Sequence, residues 1–472
     1  MSLVWGKDMQ SGKWIKIAVA SALSGSIVLG GHLASAAGFN LMEQNASGLG
    51  NAFAGAAAVA EDASTIYFNS AGLTQLTRPS LVLSVNGINI KSHFRDSGSA
   101  AALGQTLGSS GGNAGGLTPL PALYIAVPLT DKITGGLGIN APFGLKTDYS
   151  DDWIGRFQAI TSEVKTLNVN PALAFKLGNK VSLGIGADYQ SLDATLSKGV
   201  NYTAAIAQVL QAQLLAGAIS LAQFNALVAA NAGLQGTSTV KGNDSAWGYD
   251  VGLLVNLTER TKLGLSYRSA VKYNVQGNAA FTAPTSSNPN GQAIINGARA
   301  STLVDGPVTL DIKLPATARV AMTQKLGNAF ELLGEVSWTQ WSSIPELRIK
   351  RTNGVTLSNT PEKWEDSTRY ALGANYQLND GVKLRFGAAV DKSPVPDATR
   401  TPRLPDNDRT WLSVGAKIKV AKNASVDVGY THITAKDAAL NQNDGNTNAY
   451  GLLQGKQDSN IDILGLQATV SF

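Results

Sequence analysis

The 472-residue chain contains no cysteine. Disulfide stapling, thiolate metal sites and cysteine nucleophiles are therefore excluded, and the redox compartment is left open. Charge is also scarce: 15% of the residues are charged and the formal net charge is +5. An amino-terminal leader with Lys7, Lys13, Lys16 and Asp8 accounts for +2, so the remainder carries 5 − 2 = +3. That excess over so long a chain gives no reason to expect a nucleic-acid partner. No apolar run of ~20 residues follows the leader, so spanning helices are not expected. Beyond the leader the histidines are His93 and His432. Neither stands in a Ser/His/acid constellation, so no catalytic residue, metal ligand or cofactor is assigned. A phosphate-cradling role for Gly48-Leu49-Gly50 is rejected too, because no strand precedes it and the spacing to Gly55 is wrong.

The chain is rich in glycine, with 50 residues, and in period-two alternation. Fourteen strand-like runs are expected, at 80–91, 118–129, 132–143, 163–177, 180–196, 246–257, 261–275, 308–325, 329–341, 367–378, 381–392, 409–421, 424–435 and 460–472. Every second connection is short and the seven others are long, from 393–408 up to 197–245. Short turns on one rim and long loops on the other are the pattern of an even-stranded membrane barrel. A soluble sandwich has no reason to sort its loops so. In 246–257, Trp247, Tyr249, Val251, Leu253 and Val255 share a face expected to meet lipid, opposite Asp250 and Asn256. Pro315 interrupts 308–325, but Val308, Leu310, Ile312 and Leu314 keep the parity of Ala318, Val320 and Met322. One strand with a single face is therefore expected there, with Pro315 costing a ladder bond. The terminal Phe472 closes an alternating run, Leu464, Leu466, Ala468 and Val470. The leader's lysines, the apolar stretch 17–30 and Ala34-Ser35-Ala36 read as a signal peptide over 1–36. The fold class is thus all-β: a transmembrane 14-stranded antiparallel barrel over 80–472, preceded by a small hatch over 37–79.

Two segments depart from the barrel pattern. The first, 37–79, reads AGFNLMEQNASGLGNAFAG and continues to NSAGL without sustained alternation. Short helices and turns plugging the lumen are expected of it. The second is the loop 197–245, uncharged between Lys198 and Lys241. Ile206, Val209, Leu210 and Leu214 recur at helical spacing, as do Leu221, Phe224, Leu227 and Val228, with Ser220 placed as a cap. Two readings stay open: lid helices packed on each other, or a pair that leaves an apolar groove facing solvent.

At these segments, and at APFGLKTDY (141–149), NPALAF (170–175) and SPVPDATRTPRLPDNDRTWLSVG (393–415), the chain resembles the outer-membrane long-chain fatty acid transporter (FadL) family, with its aromatic-hydrocarbon uptake relatives. The resemblance implies a hydrophobic small-molecule substrate, held in an outer groove, passed to an inner pocket and released through a side opening at a kinked third strand. It implies that Phe39 reaches the inner pocket. It places Asn69-Ser70-Ala71 where the family usually has Asn-Pro-Ala, and Pro142 and Gly144 at the kink. Arg348 aligns with a basic pocket residue, a solvated rim arginine being the alternative, and the family's other basic residue near Tyr189-Gln190-Ser191 has no match. Passive uptake of long-chain fatty acids by a monomer in contact with outer-membrane lipid is the leading expectation. Aromatic-hydrocarbon uptake is the alternative, and a general porin is the lesser one.

Overall fold

The computed structural model describes residues 38–442 and 445–472. The expected signal peptide and the mature start at Ala37 lie outside them. Fourteen antiparallel strands form a closed ring, in which the first, Ser80–Asp96, is hydrogen-bonded to the second, Gly116–Pro128, and to the last, Leu453–Ser471. Alternation decides which side chains face out. On the sixth strand, Gln235–Asn256, Trp247 and Tyr249 are more than half exposed, whereas Asp250 and Leu254 are buried. The same outward face carries Leu372, Leu412, Leu464 and Leu466, forming an apolar belt. Rings edge the belt: Tyr189 beside Trp247 and Tyr249 beside Tyr267 towards the long loops, Phe330 beside Tyr376 at the short turns. The inward face is polar, with Asn168, Asn170, Arg319, Glu335, Arg369, Arg385 and Asp427 all buried. An apolar exterior around a polar interior is the arrangement of a barrel that crosses lipid.

The strand count matches expectation, but the faces do not run through as the parity of the eighth strand implied. Its upper piece, Gly306–Leu314, points Asp311 and Lys313 outward and packs Leu310, Ile312 and Leu314 inside. Its lower piece, Thr317–Leu326, points Val320 and Met322 outward. The residues Pro315-Ala316, between the two pieces, therefore exchange the faces, as a bulge does. The seventh strand does the same at Ser269-Ala270, between Thr261–Arg268 and Val271–Phe281. Several long loops are also shorter than expected, because strands run on beyond the belt: the fifth is Val181–Asn201 and the thirteenth continues as Ala438–Gln442. The segment between the ninth and tenth strands contains a hairpin, Glu346–Arg351 with Thr356–Pro361, and the one after the seventh contains a helix, Pro289–Ser301.

Residues 38–79 enter the ring as short turns and helices, Ala46–Leu49, Ala56–Val59, Thr65–Phe68 and Ser70–Gln75. Leu49, Phe53, Ile66 and Leu73 are fully buried against inward residues of the wall. Wall glycines admit this plug. A Cβ on Gly264 would sit 2.0 Å from the Ala57 carbonyl oxygen, and one on Gly387 would sit 2.1 Å from the Asn51 backbone. Much of the chain's glycine thus reflects close backbone approach, not flexibility.

Candidate functional site

A large cavity, about 1150 Å³, lies at the long-loop rim. Two lid helices, Tyr202–Leu215 and Leu221–Ala230, form part of its wall through Ala204, Gln208, Gln211 and Phe224. The second helix starts in a capping box, with Ser220 and Gln223 satisfying each other's backbone N–H groups. Leu347, Ile349 and Leu357 of the hairpin, Leu303, Val240 and Phe281 supply apolar surface. Two cations, Lys198 and Arg403, belong to the lining, which includes no aspartate or glutamate among the described residues. Arg403 is fixed by four acceptors, the carbonyls of Gln158, Thr161 and Ser197 and the Ser162 hydroxyl, at 2.9–3.3 Å. Beside the cavity, burial pushes the Glu362 carboxyl up to about 7, against the opposing influence of Arg403.

Deeper in the ring is an aromatic box. Phe39 meets Trp341 at 5.0 Å, Phe143 at 5.8 Å and Trp364 at 5.8 Å between ring centroids, each edge to face. Such pairs add stabilisation beyond their buried area. The preceding Gly38 donates its N–H to Asp406 Oδ2 at 2.9 Å. Its φ of +61° and the Trp341 ring, 2.4 Å from any added Cβ, leave room for glycine alone. The first described residues of the plug therefore fill the box.

The third strand is broken beside this box. Its lower piece, Ile133–Asn140, pairs with the second and fourth strands, whereas Gly144–Asp148 pairs with the fourth alone. Pro142 and Gly144 stand at the break. Its freed backbone groups are met from inside: Leu41 N–H donates to the Pro142 carbonyl at 2.8 Å, Gly144 N–H to that of Phe39 at 2.9 Å, and Gln44 Nε2 to that of Ala141 at 2.8 Å. Thus the segment that fills the box also patches the wall.

The plug is tied down elsewhere by charge. Glu61 pairs with Lys383, with Arg385 at 2.8 Å and with Lys417 at 3.8 Å, and Arg385 also meets Asp427 at 2.8 Å. Burial would raise the Glu61 carboxyl, but Arg385, Lys383 and Lys417 outweigh it and hold it well below the usual range. Asn69 caps the last plug helix through Ala71 N–H and donates to the Ala57 and Leu253 carbonyls, at 2.7 and 3.1 Å. Ser70 occupies the first helical position, where proline is favoured because no backbone donor is needed. The turn survives without proline because Asn69 sets it.

Of the residues singled out in the sequence, Phe39 sits in the aromatic box and Phe224 lines the cavity. Leu210 is buried, and Leu227 and Val228 pack with it against Ile206 and Ile295 of the third helix. Those three belong to the lid's own core, while Leu214, partly exposed, is not part of this cavity's lining. Arg348 stands apart from both sites. Its neighbours Leu347 and Ile349 take the cavity face, so Arg348 points outward and pairs with Glu346 at 2.9 Å. The rim reading is the one its position fits. His93 and His432 also face outward, His432 hydrogen-bonded to Asp462 at 2.8 Å. Trp341, Trp364, Lys198 and Arg403 were not anticipated. Arg403 lies inside the 393–415 motif, and Lys198 marks the start of the uncharged loop, so both carried a signal; the two tryptophans sit in segments that read as ordinary strand end and loop.

The family model for the outer membrane protein transport proteins (OMPP1/FadL/TodX) matches residues 27–472. The chain belongs to that family. The long-chain fatty acid transport protein of Escherichia coli (strain K12) is 29% identical over 426 residues, 89% of this chain and 93% of that protein. The 47 kDa outer membrane protein of Pasteurella multocida is 31% identical over 427 residues, 90% and 93% of the two. A Pseudomonas aeruginosa FadL homologue has the same fold, with a TM-score of 0.81, 23% identity, and coverage of 92% of this chain and 100% of that one. The Pseudomonas putida toluene transporter TodX follows at 0.63 and 15%, covering 92% and 99%. This FadL/TodX-family member is therefore an outer-membrane transport protein for hydrophobic substrates and not an enzyme. Its short turns face the periplasm and its lids the exterior.

Proposed function

We propose that the protein takes up long-chain fatty acids passively, as a monomer, from the exterior into the outer membrane. The observation that carries this reading is the lining of the outer cavity, apolar over much of its wall and bearing Lys198 and Arg403, with no carboxylate among its described residues. Such a lining suits a molecule with a long apolar tail and one anionic end. Each methylene moved out of water contributes ~0.8 kcal/mol, so capture from dilute solution needs no energy source. The substrate then displaces Phe39 from the aromatic box and leaves through the wall where Ala141–Phe143 interrupt the third strand. Relatives named as long-chain fatty acid transport proteins, near 30% identity over nine-tenths of the chain, support the same substrate.

The aromatic box favours a second reading, in which aromatic hydrocarbons are the substrate, since four rings offer edge and face contacts to a fifth. Competition on the purified protein separates the two. Unlabelled oleate is expected to displace labelled oleate at least tenfold better than methyl oleate or an alkylbenzene does, and Lys198→Gln is expected to narrow that gap. Equal displacement by the ester would remove the carboxylate from the recognition, and stronger displacement by the alkylbenzene would establish the second reading.

A further inference from the structure

The outward face above the aromatic edge carries a cationic cluster that the transport pathway does not use. Lys272 on the seventh strand and Lys313 on the eighth are direct cross-strand partners, and both are exposed. Like charges directly opposite each other on a sheet destabilise it. Lys350 of the hairpin is the partner of Thr309 on the same face, and Arg348 lies two residues further on. Lys313, Arg348 and Lys350 border a concavity of about 230 Å³. The acidic groups at the patch are already engaged: Asp311 accepts from Asn274 Nδ2 at 2.7 Å, Asp244 from Asn274 N–H at 2.7 Å, and Glu346 from Arg348 at 2.9 Å. Among the described residues none of the three lysines has a carboxylate within 4 Å.

A second feature lies below, on the belt. Val320 and Met322 of the eighth strand, Gly334 and Val336 of the ninth, and Tyr370 and Leu372 of the tenth outline an almost wholly apolar furrow of about 570 Å³. Gly334 is the low point between Met322 and Leu372, its cross-strand partners. The face exchange at Pro315 aligns the two features on one strand, cations above and furrow below. We propose that this wall is a binding site for a phosphorylated glycolipid of the outer leaflet, with a phosphate at Lys272, Lys313 and Lys350 and an acyl chain in the furrow. Clustered basic side chains at the membrane surface bind anionic headgroups, and lysine is a good phosphate partner as a point charge. The adverse Lys272–Lys313 pair is what the phosphate relieves.

Native mass spectrometry of the purified full-length protein, incubated with a diphosphorylated hexa-acylated glycolipid, tests the site. Wild type is expected to retain one such lipid with at least tenfold preference over the fully dephosphorylated form. The combined Lys272→Gln, Lys313→Gln and Lys350→Gln variant is expected to lose that preference, whereas Lys91→Gln with Lys456→Gln, on another stretch of wall, keeps it. Heat-modified gel mobility confirms that each variant is a folded barrel. Retention by the triple variant equal to wild type overturns the proposal, as does equal retention of the dephosphorylated lipid. Displacement of the lipid by millimolar inorganic phosphate would show a simple anion site and overturn it as well.

Discussion

Gly38 shows how much of the aromatic box rests on single residues. Alanine there requires a left-handed backbone, costing ~1–2 kcal/mol, and its Cβ meets the Trp341 ring at 2.4 Å. Gly38→Ala is expected to free Phe39 from the box, which hydrogen exchange over residues 39–44 would report as loss of protection at Leu41 and Gln44. Ser70 makes the opposite case. Asn69 already has the extended backbone that precedes proline, at φ −163° and ψ 101°. Ser70→Pro is expected to raise stability by ~0.4–1 kcal/mol through the unfolded state, read as a higher thermal midpoint with unchanged uptake. The residues most legible in the sequence were those whose neighbours in the chain are also their neighbours in space. Phe39 stands in a recognisable motif, and Ser220 with Gln223 is a local cap. Trp341, Trp364 and Arg403 reach their sites from segments hundreds of residues away from Phe39 and Gln158, and no local period marks such convergence. The position of Arg348 is not legible locally, because the hairpin around it sets it: with Leu347 and Ile349 on the cavity face, alternation sends Arg348 outward.

At the scale of elements, the lid separates two jobs that the sequence left together. Phe224 both lines the cavity and packs on the core shared with Leu210 and Ile295, whereas Leu227 packs on that core without reaching the cavity lining. Phe224→Asp is expected to lower oleate uptake at least fivefold while the lid's helical content stays. Leu227→Asp is expected to loosen the lid itself, seen as faster proteolysis between Leu210 and Asn231. The plug has a pH dependence of known sign. Burial pushes the Glu43 carboxyl up to about 7, and one of its oxygens has no hydrogen-bond partner among the described residues. A carboxyl raised in the folded state stabilises fully below its ordinary value near 4.5, and that stability is lost as pH rises through about 7. Thermal midpoints are expected to fall between pH 5 and 7.5, by up to ~3 kcal/mol in stability, and Glu43→Gln is expected to flatten the slope. The strands were legible because lipid outside and polar contents inside impose period two on each one. The face exchange at Pro315 was not, since Leu310, Ile312 and Leu314 look the same whether they meet lipid or the aromatic box. Apolar alternation identifies a strand; it does not say which greasy environment the apolar side enters.

For the whole molecule, what distinguishes this barrel from an open pore is that its plug is also part of its wall and, on the proposed route, part of its substrate site. Residues 39–44 fill the box and bond to the broken third strand, while Glu61 anchors the same plug to Lys383, Arg385 and Lys417. On the proposed route, a ligand entering the box would loosen the inner end of the plug at the wall, while the ionic anchor would keep the lumen shut. Removing one partner of a buried ion pair costs ~3–5 kcal/mol. Glu61 is a fifth exposed, which places its loss nearer 2 kcal/mol by the same reasoning. Wild type is expected to show no steady conductance in planar bilayers, with or without oleate. Glu61→Gln is expected to give brief openings, because Lys383 and Lys417 then repel each other beneath an untethered plug while Arg385 keeps Asp427. A quiet Glu61→Gln channel would mean that packing of Leu49, Phe53 and Ile66 closes the lumen without the anchor; steady conductance in wild type would mean that substrate and ions share one route.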